Sequence, residues 1–172
     1  MQPVKVLIVD DSMLMRNILS ALLARDSDIE VVGSATDPFD AREKIKALNP
    51  DVITLDVEMP GMNGLEFLRN LMRLRPMPVV MVSTLTSKGA PVTLKALELG
   101  AFDFISKPEV NSEAALSLFG DQLRARIKMA STANISTARS ANTQQPTAIF
   151  NQGNIQNNLL IAIGASTGGT EA

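Results

Sequence analysis

Three carboxylates, a hydroxyl and an ammonium could do phosphoryl chemistry if the chain gathered Asp10, Asp11, Asp56, Ser83 and Lys107 at one point. Carboxylates held together repel, and the usual resolutions are raised pKa values or a bound divalent cation. An all-oxygen cluster selects a hard ion, and Mg²⁺ takes one or two carboxylates, some waters and a phosphate partner. Lys107 would bring an ammonium to neutralise transferred oxyanions, and Ser83 could donate a hydroxyl hydrogen bond to the same group. Each piece also has a plainer reading. Asp10-Asp11 ahead of Ser12 can supply a turn and favourable charge near a helix N-terminus. Asp56 can be a turn residue, Ser83-Thr84 an ordinary loop opening and Lys107-Pro108 a solvated turn. Only convergence at one place makes them a site, so the elements that carry them decide the matter.

Val4-Lys5-Val6-Leu7-Ile8-Val9 is short, β-branched and almost wholly apolar, which fits a strand covered on both faces. It stops at Asp10-Asp11, and from Ser12, a plausible N-cap, apolar residues at 14, 15, 18, 19, 22 and 23 recur at helical spacing. The unit repeats. Ile29-Ala35 reads as a strand, and Asp37-Pro38 as a cap with proline at the first position of a helix to about Leu48, ended by Asn49-Pro50. Val52-Leu55 is the third strand and delivers Asp56; after a Pro60-Gly61 turn, Gly64 to about Arg73 is helical. Val79-Val82 and Phe102-Ile105 supply two more strands, with helices from about Pro91 to Leu99 and from Ser112 to Met129. Five strands each followed by a helix predict an α/β fold with a parallel sheet covered on both faces. In such sheets ligands bind beyond the carboxyl ends of the strands, where all five candidate residues fall.

At 172 residues and 45% hydrophobic content the chain has room for one ordinary domain with a real core, and for a tail. A formal net charge of -2 and a pI near 5.2 offer no basic face, so neither nucleic-acid binding nor attachment to an anionic membrane is expected. No apolar run approaches the roughly 20 residues of a membrane span, and no charged leader precedes one. The absence of cysteine removes disulfides and thiolate zinc sites and suits a reducing compartment. A cytoplasmic protein is expected.

Composition changes at Ala130, after which Arg139 is the only charge before Asn158 and large apolar residues are few. Such a segment cannot bury enough surface to hold a fold, so 130–157 is expected to be a flexible linker. Residues 158–172 then read as the truncated start of a second domain, in which Ile161-Ala162-Ile163 feeds Gly164-Ala165-Ser166-Thr167-Gly168. That strand-then-turn form is a nucleophile elbow exposing Ser166. Glycines after a strand also cradle phosphates at helix N-termini, so a nucleotide-binding loop is the alternative. A serine nucleophile needs a base, and the sequence contains no histidine.

Leu7-Ile8-Val9-Asp10-Asp11-Ser12, Leu55-Asp56-Val57-Glu58-Met59-Pro60-Gly61-Met62-Asn63-Gly64, Met81-Val82-Ser83 and Ser106-Lys107-Pro108 resemble the receiver domain of two-component response regulators, over Met1 to about Met129. The resemblance implies a flavodoxin-like (βα)5 fold and phosphorylation of Asp56 by a histidine kinase. It implies Mg²⁺ held by Asp10 or Asp11, Asp56 and the backbone carbonyl of Glu58, with Ser83 and Lys107 as phosphoryl ligands and a cis Lys107-Pro108 bond. Phe104 matches a position where many relatives carry a switch tyrosine; it can change rotamer but has no hydroxyl. A receiver, a polar linker and Ile161 to Glu171 together resemble the chemotaxis protein-glutamate methylesterase family, as does Ala96-Leu97-Glu98-Leu99-Gly100-Ala101. That likeness implies Ser166 as an esterase nucleophile acting on methyl esters of receptor glutamates, with deamidation of glutamines in relatives. The implied partners are a chemotaxis histidine kinase, methyl-accepting chemoreceptors and the chain's own C-terminal esterase domain. The triad's histidine and aspartate would lie past Ala172, so this chain by itself is expected to be inactive as an esterase.

Three other readings make different demands. A transcription regulator predicts a basic helix-turn-helix after the linker, where this chain has Arg139 and then an apolar strand. A free-standing Mg²⁺ phosphohydrolase with Asp56 as nucleophile predicts rapid turnover of a small donor. A single-domain signalling adaptor makes the tail irrelevant.

Overall fold

In the computed structural model, which describes residues 2–84, 89–108 and 112–133, strands and helices alternate as β1 (Val4–Val9), α1 (Met13–Leu23), β2 (Ile29–Ala35), α2 (Pro38–Leu48), β3 (Val52–Leu55), α3 (Gly64–Leu74), β4 (Val79–Ser83), α4 (Gly89–Glu98), β5 (Asp103–Ser106) and α5 (Glu113–Thr132). The strands form one sheet in the order β2-β1-β3-β4-β5, and every pairing is parallel. This is the flavodoxin-like receiver arrangement. The expected linker beyond 133, the expected second domain and Ser166 lie outside the described residues.

Alternation along each strand builds two apolar layers, because successive side chains leave a strand on opposite faces. Val6 and Ile8 of β1 join Val80 and Val82 of β4 beneath Leu19, Leu22 and Leu23 of α1 and Phe119, Leu123 and Ile127 of α5. Leu7 and Val9 join Leu55 and Met81 on the other face, covered by Ala41 and Ile45 of α2, Phe67, Leu68 and Leu71 of α3 and Ala96 of α4. Covering on both sides explains why these strands are continuous apolar runs.

Local chemistry sets the boundaries near the sheet's carboxyl edge. The Ser12 hydroxyl accepts from Met15 N at 3.3 Å, and Asp37 accepts from the amides of Phe39 and Asp40 at 2.8 and 3.0 Å, so both expected caps are formed. Asn49 ends α2 in the left-handed region at φ 46°, directly before Pro50. Gly61 has φ 83°, which the Pro60-Gly61 turn requires of a residue without Cβ.

Four elements differ from expectation. β4 runs one residue further, to Ser83, which pairs with Ser106 of β5. α4 begins two residues before Pro91, which a helix tolerates in its first turn because the missing N–H has no intrahelical partner there. β5 runs over Asp103–Ser106, one residue later than expected, although Phe102 N still bonds Val79 O at 2.8 Å. α5 continues past Met129 to Thr132 because Ala130 is fully buried in the core and the hydroxyls of Ser131 and Thr132 bond carbonyls three residues back. Among the described residues no helix is long and apolar enough to cross a membrane.

Candidate functional site

β1 is flanked by β2 on one side and β3 on the other, so chain connections diverge at the carboxyl ends of β1 and β3 and leave a crevice there. Asp10 and Asp56 are the first residues past those two ends. Their backbones are fixed by the sheet itself: Asp10 N bonds Ala35 O at 3.1 Å and Asp56 N bonds Val9 O at 2.9 Å. Both side chains are buried, at 1% and 3% exposure, while Asp11 is exposed at the mouth. Carboxylate oxygens of the three residues lie within 4.8 Å of one another.

Lys107, one residue past β5, reaches across the crevice and places Nζ 2.7 Å from Asp10 Oδ2 and 2.7 Å from Asp56 Oδ2. The Asp56 contact is an aligned hydrogen bond, whereas Asp10 Oδ2 pairs by charge without accepting a well-directed hydrogen bond. Ser83, 2% exposed, ends β4, and its carbonyl accepts from Lys107 N at 2.9 Å, so the lysine and the serine are held together through the backbone. Glu58 N donates to Asp56 Oδ1 at 3.2 Å, and the Glu58 carboxylate accepts from the Thr84 hydroxyl at 3.1 Å, linking the loop after β3 to the end of β4. Phe104 is half-buried against the α3 and α4 side of the core. Asp10, Asp11, Asp56 and Lys107 are thus brought together, with Ser83 tied to them. The Lys107-Pro108 bond is trans, against the expected cis form; an X-Pro amide retains a trans preference of about 0.5–1 kcal/mol.

Removal from water pushes the Asp56 carboxyl above its ordinary value of 3.8; the Lys107 hydrogen bond and charge pull it down, and the Asp10 charge adds to the rise. Burial alone would lower Lys107, but its close contacts with Asp10 and Asp56 and their charges leave it above its ordinary 10.5. The signs of the pH effects follow by linkage. Ionised Asp56 costs stability at any pH above its raised folded value, and that cost vanishes as pH falls below 3.8. Lys107 stabilises fully below 10.5, and its contribution is lost as pH rises through its raised folded value.

The donor set fits Mg²⁺: it is all oxygen, it carries more negative charge than Lys107 neutralises, and Asp10 Oδ2 is a buried acceptor without a directed hydrogen bond.

Arg16, which sequence reasoning passed over, and Gly64, read there only as a motif residue and the start of a helix, also shape the site. Arg16 Nη1 donates to the carbonyls of Asp10 and Asp11 at 2.8 and 2.9 Å, fixing the turn that carries both acids. A cation in the first turns of a helix opposes the helix dipole, and that oddity was the available signal. Gly64 opens α3 against the end of β3, and a Cβ there would lie 1.9 Å from the Asp56 carbonyl oxygen. Gly64→Ala must therefore move the backbone that aims Asp56. It is expected to destabilise the fold by about 3 kcal/mol, the upper end of overpacking costs because the obstructing atom is backbone. An unchanged urea midpoint would show that the two backbones are not in contact.

A response regulator receiver domain model matches residues 6–118. Protein-glutamate methylesterase/protein-glutamine glutaminase 1 of Xanthomonas euvesicatoria pv. vesicatoria is 53% identical over 178 residues, covering 99% of this chain and 50% of that protein. The chain thus spans about half the length of the curated relatives it matches. Among solved structures, the response regulator domain of Thermotoga maritima CheB is similar at TM-score 0.70 and 41% identity, covering 77% of this chain and 99% of that one. The CheX-CheY-BeF3-Mg+2 complex from Borrelia burgdorferi is similar at TM-score 0.62 and 29% identity, covering 74% of this chain and 89% of that one.

Proposed function

Because the chain belongs to the response regulator receiver domain family, we propose that Asp56 accepts a phosphoryl group from a phosphohistidine of a chemotaxis histidine kinase, and that the acyl phosphate governs an esterase continuing from residues 158–172. One observation carries the first half: Asp56 is buried at the edge of β3 with Lys107 Nζ at 2.7 Å and a second buried carboxylate, Asp10, on the same ammonium. A structural salt bridge needs one acid; a surplus of buried negative charge at a sheet edge suits a site that takes up a cation and a phosphoryl group.

In the transfer, an Asp56 carboxylate oxygen attacks phosphorus, the P–N bond to the donor imidazole breaks, and the imidazole nitrogen regains a proton from solvent. Asp10, Asp11, Asp56 and the Glu58 carbonyl would hold Mg²⁺, which supplies positive charge to the phosphoryl oxygens. Lys107 Nζ, already on Asp56, would neutralise a transferred oxygen without travelling, and the hydroxyl of Ser83, at the end of the next strand, would donate to another. Arg16 keeps the acid pair's turn in place meanwhile. Phe104 can respond only by rotamer, since it carries no hydroxyl.

The second half rests on the tail. The match to the Xanthomonas protein covers 99% of this chain, so it extends through the Ser166 elbow. Ser166 would attack the ester carbonyl of methylated receptor glutamates, with a histidine and an aspartate from further along the parent chain completing its triad. The sequence has no histidine, so it should cleave no ester by itself. A flexible linker holds two domains at an effective concentration near millimolar, so a weak contact suffices to cover the esterase site. Phosphorylation adds about one negative charge at Asp56, and a coupling of about 1–3 kcal/mol would shift that contact about 5- to 150-fold.

Treatment of the chain with acetyl phosphate and Mg²⁺, followed by intact-mass and fragment spectrometry, tests the first half. A gain of one phosphoryl group on Asp56, lost on omission of Mg²⁺, is expected. Phosphate on a serine or threonine, or steady turnover with no retained label, would overturn it.

A further inference from the structure

We propose that the groove between α2 and α3 docks an acidic amphipathic helix of a partner protein, a contact separate from the phosphoryl site. The groove has a volume of about 540 Å³. Its floor is apolar, built from Ile45, Phe67 and Leu71 with the half-buried Met62. Its lips carry Phe39 and Leu74, 72% and 70% exposed, so that apolar side chains on both lips continue the apolar floor.

Charge identifies the kind of partner. Arg42, Lys46, Arg73 and Arg75 line the groove and, among the described residues, no carboxylate does, in a chain whose formal net charge is -2. Lys46 is offset by Glu43 at 3.1 Å, and Arg73 is also engaged by a partner. Arg75 is held by the Ile45 carbonyl at 3.1 Å and by the Asn49 side chain, neutral partners that leave its charge uncompensated. The cations stand in two rows: Arg42 and Lys46 are one turn apart on α2, and Arg73 and Arg75 sit at the end of α3. A single anionic headgroup would meet one end of this array. Carboxylates spaced along a helix meet both.

Size agrees with that occupant. α2 and α3 have 11 residues each, or about 16 Å at 1.5 Å per residue. A helix laid against them at the usual 8–10 Å interaxial distance presents apolar residues at i, i+3, i+4 and i+7 to the floor and acids to the rows on either side. Exposed Phe39 and Leu74 would then close over its edges.

The test uses the full chain and three fluorescein-labelled, end-capped helical peptides: one with leucine at i, i+3, i+4 and i+7 and glutamate on the remaining faces, one with lysine replacing every glutamate, and one with glutamine replacing every leucine. Saturable binding of the first peptide by fluorescence anisotropy is expected, weakening with added salt. Each control peptide, and each of the variants Phe39→Ser and Arg42→Glu, should bind about tenfold more weakly or worse. Both substituted side chains are exposed, so an unchanged urea midpoint shows that the fold is intact. Leu118→Ser on α5 should change nothing, and amide shifts should concentrate at 38–46 and 62–75. Equal binding of the lysine peptide, absence of saturable binding, or shifts on α4 and α5 would overturn the proposal. So would phosphatidylglycerol vesicles binding as tightly with the same variant losses, which makes the site a lipid contact, or a dimer that Phe39→Ser dissociates, which makes it a self-contact.

Discussion

Asp56→Asn is expected to take up no phosphoryl group from acetyl phosphate and Mg²⁺ and, at neutral pH, to unfold at a higher urea concentration than the native sequence. The first effect is all or none, because an amide oxygen is not a nucleophile that can form the acyl phosphate. The second follows from the charge count in the crevice. Asp10 and Asp56 are buried around one ammonium, so one of the two negative charges has no matching cation. Replacing Asp56 leaves Asp10 and Lys107 as a balanced pair. Burial holds the Asp56 carboxyl above 3.8, so its ionised form opposes folding at neutral pH, and the advantage of the asparagine variant should shrink as pH falls through that raised value. Mg²⁺ should do the same from the other side: a cation that binds only the folded state stabilises it in proportion to its occupancy, more for the native crevice than for the variant. Equal midpoints at pH 7.5 without Mg²⁺, or retained phosphoryl uptake by the variant, would mean that Asp56 is not the strained carboxylate of this site.

β1, β2 and β3 are legible to the residue because each is a short run bounded by a residue with a distinct conformational demand: Asp10-Asp11 before a capped helix, Asn49-Pro50 after one. Period and punctuation agree there, and Ser12 and Asp37 cap as their types predict. α5 was harder to end, since Ala-Ser-Thr at 130–132 has the composition of the polar stretch that follows. Only the depth of Ala130 in the core, a tertiary fact, holds that turn as helix. The site residues were legible by position, because strand ends in a doubly wound sheet converge by topology. Their pairings were not. Lys107 spanning both acids depends on how far β5 lies from β1 across two intervening strands. Gly64 looks like any glycine after a turn until α3 is packed against β3 and the space for a Cβ disappears.

Lys107→Ala should be the most destabilising polar substitution in the crevice. Asp10 and Asp56 are nearly inaccessible, and Lys107 is itself only 9% exposed, so water cannot replace the lost ammonium. Removing one partner of a buried ion pair costs about 3–5 kcal/mol when the remaining charge stays uncompensated. Here the lower end applies, about 3 kcal/mol, because Asp56 already sits above its ordinary value and can take up a proton instead. That escape fixes the pH signature. The deficit should be largest at pH 7.5 and shrink on acidification, while above 10.5 it should shrink again as the native lysine loses its own proton. Lys107→Met, which keeps most of the stem and none of the charge, should lose nearly as much, separating electrostatics from packing. Adding Asp56→Asn to Lys107→Ala should recover part of the loss, a non-additivity that a double-mutant cycle reads directly. Mg²⁺ should recover part of it too, since the cation would meet two carboxylates no longer held by the lysine. If Lys107→Ala unfolds at the native midpoint at pH 7.5 in the presence of a chelator, the lysine does not bridge the two acids. The charge surplus from which the phosphoryl site is argued would then have to be neutralised by something else.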